Sequence, residues 1–101
     1  MAAYMIVYAR IDDEAGFAPY VGAVGPLIRK YGGRLIRRDL APQVLEGDWP
    51  WGTGGLLEFP SIDAAREFWF SPEYEAVKRL REGVAAFQVI LLPEVTPPPA
   101  S

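Results

Sequence analysis

One carboxylate is set apart by its surroundings: Glu58, the acid inside the apolar run GGLLEF. Burial there disfavours the charged form and raises the pKa, which suits a general base or acid working near neutrality. A neighbouring cation such as Arg10 or Arg38 would instead hold it ionised and lower the pKa, as in a structural ion pair. The two readings differ in sign, and both stay open. Period-two alternation puts Tyr8, Arg10 and Gln88 on the side of the sheet that Glu58 faces. With Glu58 as base, Tyr8 or Arg10 can hold a developing oxyanion. Arg38 and Trp49 join Tyr8, Arg10 and Gln88 as the candidate substrate-binding set. What is missing narrows the chemistry further. The chain has no cysteine and no histidine, so disulfides, thiolate nucleophiles, imidazole bases and the usual haem, zinc and copper ligands are excluded. All-oxygen metal sites remain, and those suit magnesium or calcium rather than redox metals. Neither a metal nor a cofactor is expected.

These side chains need a scaffold, and 101 residues fit one domain. Half of the residues are apolar and 13% aromatic, enough for a packed core. The net charge is -3, and the one basic stretch, Arg29, Lys30, Arg34, Arg37 and Arg38, reads as a solvated helix end. No nucleic-acid partner is expected. The opening MAAYMIVYARI has no basic region before its apolar run and is too short to span a membrane, so a soluble cytoplasmic protein is expected.

Ala3 to Ile11 reads as a strand with two apolar faces. Asp12 and Asp13 can cap a helix whose face is Phe17, Tyr20, Val21, Val24, Leu27, Ile28 and Tyr31, closed by Gly32 and Gly33. Pro19 suits a first turn, so regular helix is expected from nearer Phe17 than Glu14, and Pro26 predicts a kink near Gly25. Arg34 to Leu40 reads as an edge-like strand that Gln43 to Glu46 can extend after the turn at Ala41 and Pro42. The loop EGDWPWGTGG then either carries function or drapes over something. Its Trp49 and Trp51 are surface anchors, a subunit contact or a ligand lid. Gly55 to Phe59 is the third strand. Ser61 caps one helix, and Ser71 with Pro72 begins another that Gly83 stops. Val84 to Pro93 is the fourth strand, with a Pro-rich disordered tail over 96–101.

The order βαββαβ predicts an α+β, ferredoxin-like domain: a four-stranded antiparallel sheet ordered 4-1-3-2, with helices on one face. The other face would carry Tyr4, Ile6, Tyr8, Arg10, Leu56, Glu58, Ala86, Gln88, Ile90 and Leu92, more apolar area than a monomer leaves in water. A second copy is the expected partner.

The blocks KYGGRLIRR, VLEGDWP, LEFPSIDAAREF and SPEYEAVKRLR resemble, in order and spacing, the DUF1330 family of bacterial proteins within the dimeric α/β-barrel superfamily. The likeness spans about residues 3 to 95. Matching positions are Arg34, Glu46, Trp49, Glu58, Ser71, Tyr74 and Arg81. Apart from the resemblance, Ser71 and Tyr74 read as capping and packing, and Arg81 as a solvated helix-end charge. The sequence departs at Thr53 and Gly54, where members usually carry an arginine, and at Arg38, Asp39 and Leu40, where they often read RGG. The resemblance implies a homodimer whose sheets pack face to face around a small-molecule cavity, and a protein of no assigned activity. Two classes stand side by side: a non-catalytic binding or accessory protein, and a cofactor-independent enzyme, monooxygenase- or isomerase-like, acting on a small aromatic or polyketide-like substrate.

Overall fold

The computed structural model describes residues 2–39 and 42–93. Leu40, Ala41 and the Pro-rich tail over 96–101 lie outside the described residues. Strand β1 runs Ala3–Ile11, helix α1 Glu14–Lys30, β2 Arg34–Asp39, β3 Thr53–Phe59, α2 Ile62–Trp69, α3 Pro72–Lys78 with a 3-10 turn Arg79–Arg81, and β4 Ala85–Leu92. The sheet is antiparallel in the order β2-β3-β1-β4, the expected ferredoxin-like arrangement.

Alternation decides which side of each strand is buried. Met5, Leu57 and Phe59 point under the helices, where they meet Tyr20 and Leu27 of α1, Ala65 and Phe68 of α2, and Tyr74 of α3. Phe59, Phe68 and Tyr74 stack in sequence, with ring centroids 5.4 and 4.6 Å apart. Removing Phe68 from this pile would cost about 3 to 5 kcal/mol, through lost transfer energy and the cavity left behind.

The helix ends follow local chemistry. The Ser61 hydroxyl accepts from the Ala64 amide. That of buried Ser71 accepts from the Tyr74 amide at 3.0 Å and donates to the Phe68 carbonyl at 2.8 Å, which fastens the end of α2 to the start of α3. Gly32, at φ +82°, reverses the chain after α1.

Boundaries differ from the sequence reading at α1, after β2, at β3 and, by one residue at each end, at β4. Helix α1 begins at Glu14 because Asp13 caps it through the Gly16 amide. It then continues through Pro19 and Pro26, both exposed, so the carbonyls freed on that side face water. Residues 43–46 form no strand, and β3 starts two residues earlier, at Thr53. A register shift between Leu35 and Arg37 interrupts the alternation of β2.

Candidate functional site

The open face of the sheet holds most of the expected site, but in separate pairs. Tyr4 and Arg34 both stand directly opposite Glu58 in the ladders. The Tyr4 hydroxyl donates to one Glu58 oxygen at 3.0 Å, and the Arg34 guanidinium donates to the other at 2.8 Å. The Arg34 bonds, then the Tyr4 bond, lower the pKa of Glu58 below the ordinary carboxylate value, so it stands ionised. The cation beside Glu58 is thus Arg34, and neither Arg10 nor Arg38 pairs with it. Arg10 turns to Asp12 at 3.0 Å on an exposed stretch.

Tyr8 and Trp49 do meet. The Trp49 ring stands edge-on to Tyr8 at 4.8 Å, while the loop's end is drawn in by the Gly52 amide donating to the Ala9 carbonyl. Tyr8 lies across Gly54, where a Cβ would sit 2.4 Å from the phenol ring and 2.6 Å from the Val7 carbonyl. Only glycine leaves room for that ring. Gln88 is exposed and stands opposite Tyr8 on β4. Between these two ends of the face, Ile6 pairs with Leu56 on one side and Ile90 on the other.

Arg38 lies on the other face. Unbroken alternation from Arg34 would place Arg38 on the face of Glu58, opposite Gly54. The shift after Leu35 instead sets Arg37 opposite Leu56 and Arg38 opposite Gly55, which turns Arg38 to the helix side of the sheet, where it stays exposed. There it borders a cleft of about 430 Å3 between α1 and the sheet. Small residues line it from both layers: Gly25 on α1, Ala9 on β1 and Gly55 on β3. Val7, Leu57 and Phe87 form its floor, Val24 and Ile28 its wall. This concavity was not foreseen from the sequence. The signal was present in the glycines of α1 and β3, but in the sequence Gly25 reads as the place of a kink and Gly55 as the end of a loop.

Tyr20, which lines the cleft, shares a buried 2.9 Å hydrogen bond between hydroxyls with Tyr74 of α3. Burial first, then the neighbouring phenol, pushes the Tyr20 pKa far above its ordinary value, and burial raises that of Tyr74. Behind them Arg81 is buried rather than solvated, its guanidinium 3.8 Å from the Phe87 ring centroid and 5.6 Å from that of Tyr20. No carboxylate is found among the described residues lining the cleft. Among the described residues no cluster of acids is placed to hold a metal ion, and no helix is long and apolar enough to cross a membrane.

A family model described as a domain of unknown function, DUF1330, matches residues 2–95. The chain belongs to the DUF1330 family. No curated protein matches it. Among solved structures, a protein of unknown function from Rhodopseudomonas palustris is similar at 21% identity and TM-score 0.78, over 95% of this chain and 84% of that one. A dimeric ferredoxin-like protein of unknown function from a Jannaschia species aligns at 14% identity and TM-score 0.66, over 94% and 100%. SnoaB, a cofactor-independent oxygenase from Streptomyces nogalater, aligns at 13% identity and TM-score 0.67, over 98% of both chains. At these identities the likeness is one of fold, and this DUF1330 chain shares the ferredoxin-like architecture with all three.

Proposed function

We propose that this DUF1330 protein is a cytoplasmic homodimer, paired through its open sheet faces, that binds a small apolar or aromatic molecule in the cleft under α1 as a carrier or accessory protein. The pairing is supported by the apolar band of Ile6, Leu56, Ile90 and Leu92, in which Ile90 and Leu92 are still 47% and 39% exposed in one chain. A ferredoxin-like relative of unknown function is itself described as dimeric. A chain without cysteine suits a compartment that offers no disulfides.

The observation that carries the binding role is the chemistry of the cleft: an apolar concavity large enough for a ring system, with no described carboxylate in its lining. Its phenol, Tyr20, is held protonated by burial and bonded to Tyr74. Proton abstraction from a bound molecule therefore has no base there. Glu58 lies on the opposite side of the sheet, ionised and occupied by Arg34 and Tyr4. This supports binding without turnover.

The test is an amide-resolved NMR titration with 2-naphthamide as an uncharged aromatic probe, on the wild type and on Val24→Trp, which fills the cleft. Saturable shifts at Val24, Gly55 and Leu57 that vanish in a well-dispersed variant are expected. Absent shifts in the wild type, or equal binding by the variant, would overturn the cleft reading. A probe or metabolite returned chemically changed would overturn the non-catalytic one.

A further inference from the structure

The rim of the cleft has a charge that its interior lacks. The chain is acidic overall, at -3, yet the charged residues lining this cleft are Arg29, Arg34 and Arg38, all cations. Arg34 is already engaged by Glu58 at 2.8 Å. Arg29 and Arg38 form no ion pair with any described residue. Arg29 lies back along its own helix, its guanidinium nitrogen 3.6 Å from where a Cβ on Gly25 would stand, and so borders the cleft rather than pointing away from it. Arg38 reaches the same mouth from the other wall because of the irregularity in β2. Two unpaired guanidiniums facing one apolar hollow form a site with a sign. Guanidinium is also the cation best shaped to bind a carboxylate through two parallel hydrogen bonds.

Resting on the cleft reading above, we infer that the occupant is an amphipathic anion: an apolar, ring-containing body seated under α1, with a single carboxylate at the rim held by Arg29 and Arg38. The body supplies apolar contact with Val7, Val24, Leu57 and Phe87, and the carboxylate supplies orientation. A neutral molecule of the same shape gains the first and forgoes the second. Both arginines are exposed, so the preference weakens as salt screens it.

The experiment compares 2-naphthoate with its uncharged counterpart 2-naphthamide, and with acetate as the headgroup alone, by the same NMR titration at low ionic strength. The wild type should bind 2-naphthoate at least about tenfold more tightly than 2-naphthamide. Acetate should leave the cleft amides unmoved at the same concentration. In the double variant Arg29→Gln, Arg38→Gln, the two naphthalenes should bind alike, at the strength of 2-naphthamide to the wild type. That retained binding shows that the variant is folded. Equal affinities in the wild type would overturn the anionic ligand while leaving the cleft reading intact. Failure of both naphthalenes to bind would remove the cleft reading and this inference together. A preference that persists in the double variant would show that the arginines are not its cause, and acetate binding as tightly as 2-naphthoate would reduce the site to a surface ion patch.

Discussion

The paired phenols of Tyr20 and Tyr74 offer a prediction whose size follows from their geometry. Only 7% and 2% of these residues is exposed, and their hydroxyls lie 2.9 Å apart. Replacing either by phenylalanine keeps the rings and their stacking but strands the other hydroxyl in an apolar setting, at a cost of about 1 to 3 kcal/mol. Replacing both removes donor and acceptor together, and the double variant should lie within about 1 kcal/mol of the wild type. The double-mutant cycle should therefore show a coupling on the order of 2 kcal/mol. Urea denaturation of the four proteins, read by far-ultraviolet circular dichroism, gives these differences directly. The pair also predicts an alkaline limit. Both phenols have pKa values above 10.0, the value for a free side chain. Their contribution is complete below that pH and is lost as the pH rises beyond it, because the unfolded chain releases the protons more readily. The double phenylalanine variant should lose less stability above pH 10 than the wild type. Additive single effects, or an unchanged alkaline profile, would refute the view that this hydrogen bond ties α1 to α3.

The remaining predictions concern the open face. Glu58 should titrate below 4.5 by carbon-detected NMR, and the stability it lends, present above that value, should fade as the pH drops through its folded pKa; Arg34→Gln should bring that pKa back up. Because the Arg34 side chain is 72% exposed, Glu58→Gln strands no buried cation in the monomer, and an unchanged Glu58 pKa in Arg34→Gln would contradict the assigned pairing. Gly54→Ala should cost about 1 to 3 kcal/mol by overpacking against Tyr8 and the Val7 carbonyl, and should change Trp49 fluorescence as Tyr8 is displaced. A stable Gly54→Ala with unaltered fluorescence would show that the Tyr8 and Trp49 contact does not depend on this glycine.

Patterns of short period were legible in the sequence. The alternation of β1 and β4 marked both faces correctly, the serine caps at Ser61 and Ser71 were visible as residue types, and the order of elements was enough for the sheet topology. What was not legible depends on features that shift register or act across distance. The irregularity after Leu35 leaves no mark in composition, yet it moves Arg38 from the side of Glu58 to the cleft. Arg34 was visible as a cation, but its place opposite Glu58 follows from the β2-β3 register. Arg81 reads as a helix-end charge until the fold brings the Phe87 ring beneath it. Pro19 argued for a late helix start, but the cap that Asp13 provides starts the helix at Glu14, with Pro19 exposed on it. The cleft is lined by Gly25, Ala9 and Gly55 from three separate elements in two layers, which no single window of sequence contains.

The most direct test of the proposed assembly is sedimentation equilibrium of the wild type at micromolar concentration, beside a Leu56→Asp, Ile90→Asp variant that places charge in the middle of the open face. The wild type should sediment at twice the chain mass of 11.2 kDa, and the variant at 11.2 kDa with its helical signal retained. A folded wild-type monomer of 11.2 kDa, or a variant that stays dimeric, would contradict pairing through the open face.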